Sequence, residues 1–470
     1  MTDHRPAPRL ASSGLSLFDE VAPADFPQAL LRYRNDRAAR TIGLDGLSDA
    51  DWVRHFGRFE ALPGNQTQPL ALRYHGHQFR VYNPDLGDGR GFLFAQMFDD
   101  QNRLLDLGTK GSGTTPWSRG GDGRLTLKGG VREVLATAML EALGVPTSKS
   151  FSLIETGEAL MRGDEPSPTR SSVLVRLSHS HIRFGTFQRL LFKDDATTME
   201  GLVAFLIANY FPGATDTAPM NAAHLFDAAV AGSARLAARW MTAGFVHGVL
   251  NTDNMNITGE SFDYGPYRFL PVYDPAFTAA YFDHAGLYAY GRQPAAVHWN
   301  LSVLAQCLTL VAPSEPLLAS LNTYADRYRA ELQAAVCARL NIVPQGEADE
   351  ALVAAVFGFL ATLGFDGSFE GLFYDWFGGK MSEDRALAGP RARHYQGAAF
   401  AAFHDMLGDY ACADPEKLKH PRFSQPDPET LLIDEIETLW ADIAHGDDWT
   451  TFNAKLTAIE IWRQALGLVS

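Results

Sequence analysis

The chain has 470 residues, 46% of them hydrophobic, which is room for two or three domains with buried cores and too apolar for disorder on a large scale. Its 55 acidic against 40 basic residues give a formal charge of -15, which excludes a nucleic-acid or anionic-membrane footprint and requires any bound anion to be held locally. Three scattered cysteines, Cys307, Cys337 and Cys412, without a CxxC spacing, exclude a disulfide framework and a structural zinc site and fit a reducing compartment.

The opening stretch "MTDHRPAPRLASSGLSLFDE" has no apolar h-region, and its Arg and Ser content is a weak transit signal. The expected location is the cytoplasm of a bacterium, or the mitochondrion if the source is eukaryotic. Residues 1–65 are read as an N-terminal extension. From about residue 70 to 180 the pattern is of strands with a single helix inserted. "FRVYN" leads into the Gly-rich turn "PDLGDGRG", then "FLFAQMF" at 92–98, the turn "DDQN", and "RLLDLGTK" at 103–110. In the last of these strands Leu105, Leu107 and Thr109 alternate with Asp106, Gly108 and Lys110, so Lys110 points away from the apolar side. Val131, Val134, Leu135, Ala138 and Ala142 then fall at helical spacing, with Glu133 in the first turn and Gly144 and Pro146 as a stop. "SFSLIE" and "SSVLVRLS" are two more strands around the loop "RGDEPSPTR".

Beyond Arg183 the pattern turns to long helices, at about 199–210, 222–243, 297–311 and 316–340. The apolar run at 351–365 is too short for the roughly 20 residues of a membrane span and is expected to be a buried core helix. Two helical patterns close the chain, near 430–445 and 453–466, and no repeat of solenoid length occurs. The expected fold class is α+β. A small strand-rich lobe with one helix (66–185) precedes a larger, mostly helical lobe (186–380) and a helical C-terminal extension (381–470), an order that resembles a protein kinase.

Phosphoryl-type transfer needs donors for polyphosphate, a metal held by oxygen ligands, and a group that orients the nucleophile. The tetrapeptide "GDGR" occurs twice, at 87–90 and 121–124, and such turns let backbone N–H groups approach phosphate. Lys110, 20 residues after Arg90, stands where a kinase keeps its phosphate lysine, and Glu133 where its partner lies. Asn254 and Asp263 are hard oxygen ligands suited to Mg²⁺, and "DYG" at 263–265 matches the kinase "DFG". Setting His247 as the histidine of H-R-D-L-x-x-x-N puts Asn254 on the asparagine but Val249 on the catalytic aspartate. An aspartate, Asp253, instead precedes the asparagine. The base is either lost or moved.

The motifs "YHGHQF", "LGDGRG", "TKGSGTTPWSRGGDGR", "REVLATAMLEALGVPT", "RLSHSHIRFGTF" and "HGVLNTDNM...DYGP" occur in this order over about residues 70–300, and by them the chain resembles selenoprotein O and its bacterial relatives. That resemblance implies a pseudokinase-like fold that binds ATP in a flipped orientation and transfers AMP, with Mg²⁺ or Mn²⁺, to Ser, Thr or Tyr hydroxyls of proteins. It implies nucleotide binding by Gly87, Gly89, Arg90, Asp122, Gly123 and Asp263. Lys110, Arg176 and Arg183 are then the holders of the outer phosphates and Asp253 the proton acceptor, with Asn254 and Asp263 as metal ligands. The expected partners are ATP and a protein acceptor, with no nucleic acid or membrane. An ordinary carboxylate pKa of about 3.9 would make Asp253 a weak base that orients the hydroxyl and accepts its proton late. The family's best-known members carry a selenocysteine or cysteine near the C-terminus. This chain ends "ALGLVS" and lacks an Asn-Pro-rich signature beyond about Lys380, so redox control is no part of the expectation.

Blander readings stand beside these. The H-x-H pairs His75/His77 and His179/His181 are assigned structural roles, because two ligands do not make a metal site. "DDAT" near Asp194 is a loop before a helix, and Trp117 either stacks on adenine or packs internally. Rival functions are a conventional γ-phosphate kinase, a catalytically inactive nucleotide-binding scaffold, and UMP transfer from UTP.

Overall fold

The computed structural model describes residues 3–163, 165–212, 217–364 and 367–468. It is a mixed α/β structure with one large antiparallel sheet and many helices. The strands are β1 (Arg5–Pro6), β2 (Phe18–Glu20), β3 (Leu30–Arg34), β4 (Leu70–Leu72), β5 (Gly76–Gln78), β6 (Val81–Asn83), β7 (Leu93–Phe98), β8 (Leu104–Lys110), β9 (Leu125–Thr126), β10 (Lys149–Leu160) and β11 (Thr169–Ser178). They assemble in the order β2-β4-β7-β8-β11-β10-β3, with β1 added to β7 and β9 to β11, while β5 and β6 pair separately as a hairpin. Residues 5–34, which the sequence sets apart as an extension, thus supply three strands of the main sheet. The Gly-rich turn at 84–91 lies between two strands, as its sequence indicates, and joins the separate β5–β6 hairpin to β7.

Aromatic side chains fill one face of the sheet. Helices α1 (Asp36–Thr41) and α2 (Asp49–Phe56) cover it with Trp52 and Phe56, against Phe94, Leu105, Leu107, Phe151 and Val175. The other face carries α3 (Leu127–Ala142), whose Leu127, Val131 and Leu135 share a core with Leu153 of β10 and Leu174 of β11. All seven residues of β8 are therefore buried, and Lys110, on the α3 side of the strand, projects into a polar pocket rather than solvent. The tight β7–β8 turn forms because Asp99 Oδ1 accepts from Gln101 and Arg103 N–H while Asn102 takes φ +60°, a conformation asparagine tolerates. Thr126 caps α3 by accepting from Gly129 N–H at 3.1 Å. The helix begins a turn earlier than its apolar spacing indicates, so Glu133 lies in the second turn, not the first.

Helices α4 (Phe184–Phe192), α5 (Ala196–Asn209), α6 (Ala218–Thr242), α7 (Gln293–Leu308), α8 (Ser314–Asn322) and α9 (Tyr324–Arg339) build the next layer around α6. Helix α4 escapes the sequence reading because it is only nine residues long and its N-cap, Arg183, makes no side-chain capping bond. The pattern at 316–340 splits at Thr323, whose hydroxyl donates back to the Ser320 carbonyl at 2.7 Å and helps end α8. Strands β12 (Phe245–Val246) and β13 (Arg268–Phe269) pair antiparallel and close the base of the polar segment between them. Helices α10 (Ala348–Thr362), α11 (Phe369–Asp375), α12 (Glu383–Ala388), α13 (Gly397–Leu407), α14 (Ile433–Gly446) and α15 (Thr450–Leu466) follow. The run at 351–365, whose last residue lies outside the described ones, corrects an expectation. Helix α10 is not engulfed but buries one side through Leu352, Val356, Phe359 and Leu360 while Ala351 and Ala354 face solvent. Among the described residues no helix is long and apolar enough to cross a membrane.

Trp52 anchors the aromatic face: fully buried, it stacks on Phe151 at 4.8 Å and donates its indole N–H to Ser152 Oγ at 2.9 Å. Replacing it with alanine should leave a cavity and an unpaired hydroxyl, lowering stability by about 3–5 kcal/mol, measured as a lower midpoint of urea unfolding.

Candidate active site

Where the sheet meets the helical layer, a cleft of about 690 Å³ opens. Gly87, Gly89, Arg90, Lys110, Asp122, Gly123, Arg176, Arg183, Asp253, Asn254 and Asp263 all line it. Glu133 stands immediately behind, its Oε2 2.6 Å from Lys110 Nζ. Residues up to 176 positions apart in sequence are thereby gathered at one place. Among the described residues, seven basic side chains against four carboxylates line the cleft of a chain whose net charge is -15. That local reversal of sign is what an anionic ligand requires.

The deep end is organised by Asp263. Its Oδ1 lies 3.0 Å from Lys110 Nζ and 2.9 Å from Arg176 Nη1, and its Oδ2 lies 3.4 Å from Arg183 Nη1. Burial alone would push this carboxyl up, but Lys110, Arg176 and Arg183 hold it well below the usual aspartate range. Glu133 bridges Lys110 and, at 3.4 Å, Arg176, so the pair expected from sequence is a triad. Both arginines keep a buried Nε without a partner. Such donors are costly in a closed core and point to a ligand with acceptor oxygens.

Asp263 sits at φ +65°, a left-handed conformation held by its neighbours. Just before it, the Phe262 carbonyl accepts from His247 Nε2 at 3.1 Å, and just after it, the Tyr264 hydroxyl shares a hydrogen bond with Thr147 Oγ1 at 2.5 Å. The tyrosine of "DYG" is thus a tether to the start of β10, which phenylalanine would lack. His247 supports the segment from inside the core and has no access to the cleft lining.

Asp253 occupies a one-turn 3₁₀ helix, Thr252–Asn254. Its backbone carbonyl accepts from Arg183 Nη1 at 3.0 Å, while its carboxylate Oδ1 is buried with no hydrogen-bond partner. Burial raises its pKa to about 6 against the opposing pull of Arg183. The ordinary value assumed from sequence is therefore wrong: at neutral pH Asp253 is still mostly ionised but is a much stronger base. Val249, at the usual kinase base position, is a half-buried wall residue.

The loop bearing Asp253 is fixed from the β5–β6 hairpin. His77 N–H donates to Thr252 Oγ1 at 2.7 Å and Phe79 N–H to Asn251 Oδ1 at 3.0 Å. A Cβ on Gly76 would fall 2.9 Å from Asp253 Oδ1, so glycine is what lets the hairpin approach. His75 Nδ1 pairs with the Tyr82 hydroxyl and His77 Nδ1 with the Gln188 amide, while His179 packs on Tyr210 and His181 on Asp106, which agrees with structural roles for both H-x-H pairs.

The two GDGR turns are joined by the segment between them. Thr115 Oγ1 donates to the Asp88 carbonyl at 2.6 Å and Ser118 Oγ to the Gly89 carbonyl at 2.5 Å. Trp117 lies across Gly87, where a Cβ would come 2.3 Å from its ring, and donates its indole N–H to Asp19 at 3.0 Å. Its packing role is thus explicit, although one side of the ring still lines the cleft. Asp122 is forked by Arg162 at 2.8 and 3.1 Å.

A divalent cation has a plausible donor set. Asn254 turns its amide nitrogen to the Val249 carbonyl at 2.9 Å, which leaves the amide oxygen without a protein partner, and Asp263 lines the same cleft. Among the described residues no group of three His, Cys, Asp or Glu side chains could hold a metal. Two oxygen side chains completed by phosphate oxygens and water is the coordination habit of Mg²⁺, so the residues fit it.

A family model described as "Protein adenylyltransferase SelO" matches residues 2–460. The chain belongs to the SelO family. A "Protein nucleotidyltransferase YdiU" from Gloeobacter violaceus is 46% identical over 464 residues, covering 96% of this chain and 93% of that protein. One of the same name from Synechocystis is 44% identical over 468 residues, 95% of this chain and 96% of its own. Another, from Vibrio cholerae, is 39% identical over 353 residues, 75% and 71% of the two chains. The resemblance read from the ordered motifs is borne out, and this SelO-family chain is a nucleotidyltransferase.

Several residues of this SelO-family cleft escape a reading by motif. Asp88, inside the first GDGR, accepts from Leu72 N–H at 3.1 Å and approaches Arg183 at 3.5 Å. Arg119, at φ +50°, lines the wall, and its charge acts on Asp253. Asn251 and Thr252 gave a signal in "NTDN", but their hairpin partners lie more than 170 positions away. Gly76→Val should displace the Asp253 carboxylate and lower kcat for nucleotidyl transfer about 10²-fold, with the thermal midpoint within about 5 °C of wild type. An unchanged kcat would mean that the hairpin does not position Asp253.

Proposed function

We propose that this nucleotidyltransferase moves AMP from ATP to Ser, Thr or Tyr hydroxyls of proteins and releases pyrophosphate. The carrying observation is the convergence of Lys110, Arg176 and Arg183 on one buried point, with free Nε donors on both arginines, beside an unpartnered carboxylate oxygen on Asp253. Three cations at the deep end suit the two outer phosphates better than a single transferable one. Their grip on the β- and γ-phosphates turns the α-phosphate toward the acceptor, the flipped orientation of the nucleotide. The names of the family and of its relatives, protein adenylyltransferase and protein nucleotidyltransferase, support the same reading.

The proposal includes a kinase-like arrangement. Residues 66–185 form a nucleotide-binding lobe in which Lys110 on β8 pairs with Glu133 on α3, and residues 186–380 form a lobe that carries the catalytic loop. Residues 1–65 add three strands and two helices to the first lobe, and residues 381–470 are a helical extension. Gly87, Gly89, Arg90, Asp122 and Gly123 hold the nucleoside part from the two GDGR turns.

In the reaction, Asp253 accepts a hydrogen bond from the acceptor hydroxyl and takes its proton as the oxygen attacks the α-phosphorus. The new P–O bond forms while the bond from the α-phosphorus to the bridging oxygen breaks. Charge growing on the departing pyrophosphate is met by Lys110 and the guanidinium forks of Arg176 and Arg183. Mg²⁺ or Mn²⁺, held by Asn254 and Asp263, supplies neutralisation of phosphate charge when bound.

Incubation with a protein acceptor, Mg²⁺ and ATP labelled at the α- or γ-phosphate tests the reading. Label should reach protein from the α position alone, and Asp263→Ala or chelation of divalent cations should abolish it. Asp253→Asn should lower kcat by about 10²- to 10⁴-fold with a small change in KM for ATP. Transfer of γ label would instead make the protein a kinase, and no label despite measured ATP binding would favour a scaffold. Competition between ATP and UTP as the labelled donor decides between AMP and UMP transfer.

A further inference from the structure

Behind Lys110 a smaller pocket of about 300 Å³ opens off the main cleft. Arg90, Lys110, Arg124 and Arg162 belong to the walls of both, so the two spaces adjoin, and the exposed Arg90 and Gly265 bring the smaller one to the surface. Five basic side chains against two carboxylates stand among its described lining residues. Most of those charges are matched: Lys110 by Glu133, Arg124 by Glu158 at 2.8 Å and Arg162 by Asp122 at 2.8 Å.

Arg132 and Arg90 are different. Arg132, on α3 next to Glu133, stacks over Tyr267 at 4.9 Å and reaches only the carbonyls of Gly265 and Tyr267, at 3.3 and 3.4 Å, through one nitrogen. Among the described residues it has no carboxylate ion-pair partner, and its charge depresses the pKa of Arg268, after burial the next cause of that shift. The Arg90 side chain makes no hydrogen bond or ion pair among the described residues.

In AMP transfer the leaving group is created at the deepest point, between Lys110, Arg176 and Arg183. The mouth on the Asp253 side is then filled by the modified acceptor, so an exit there must wait for the protein to leave. The pocket behind Lys110 offers a route past uncompensated positive charge, in a chain whose surface otherwise repels a polyanion. We propose that this rear pocket is the release path for pyrophosphate and that Arg132 binds the product on its way out. The proposal rests on the AMP-transfer reading above.

Its test uses the full chain with Arg132→Glu and, as the charge-keeping control, Arg132→Lys. Inorganic pyrophosphate is the probe, both as an inhibitor of transfer from α-labelled ATP and as a ligand in thermal-shift titrations without ATP. Loss of one charged contact should raise the inhibition constant of pyrophosphate about tenfold or more in Arg132→Glu and weaken its thermal shift in parallel. Arg132→Lys should recover much of both, while single-turnover transfer and KM for ATP stay within about threefold of wild type. An unchanged inhibition constant in Arg132→Glu, with α label still transferred, would remove this inference and leave the AMP-transfer reading standing. A KM for ATP that rises in step with the inhibition constant would also overturn it, by making Arg132 a ligand of the bound nucleotide. If wild type transfers γ label and releases no pyrophosphate, the AMP-transfer reading falls and this inference with it.

Discussion

Three cations buried within a few ångströms of one another are the constraint around which this cleft is built. Lys110, Arg176 and Arg183 repel one another strongly in a medium of low polarity, and each is desolvated. Asp263 makes the cluster tenable because its left-handed backbone aims both carboxylate oxygens at all three. Glu133 adds a second bridge from α3, and Asp88 touches Arg183 from the Gly-rich turn. Sheet, helix and the segment bearing Asp263 are consequently cross-linked by charge, and displacing any one of them would strand the others.

The same arrangement sets the environment of the carboxylate at 253. A 3₁₀ turn puts Asp253 against the backbone of Gly76, in a spot dry enough to raise its pKa, yet 3.0 Å from Arg183 through its own carbonyl. Desolvation strengthens the base and the nearby guanidinium keeps it from becoming fully neutral. Val249, by contrast, offers the cleft only an apolar wall.

Much of this was legible in the sequence where chemistry is carried by short-range spacing. The offset from His247 to Asn254, the DYG triplet and the alternation along β8 each placed a residue correctly in the cleft. Pairings between distant segments were not legible. Nothing local in "YHGHQF" says that its backbone N–H groups bind Asn251 and Thr252, and nothing in residues 5–34 says that they extend the main sheet. The elevated pKa of Asp253 is likewise a property of burial, which a string of letters does not contain. Helix α10 misled for the opposite reason: its apolar composition suggests full enclosure, but alanines tolerate solvent.

Helix α3 is lined on its outer side by α15 and α14, with Lys128 of α3 bound to Glu437 of α14 at 2.6 Å across 309 positions of chain. A ribosome delivers the sheet, α3 and the catalytic loop long before it delivers that cover. The apolar flank of the helix that carries Glu133 is thus covered by residues 433–466 rather than by its own neighbours in sequence. The placement of Glu133 against the cationic cluster is in this way tied to chain far removed from it in sequence.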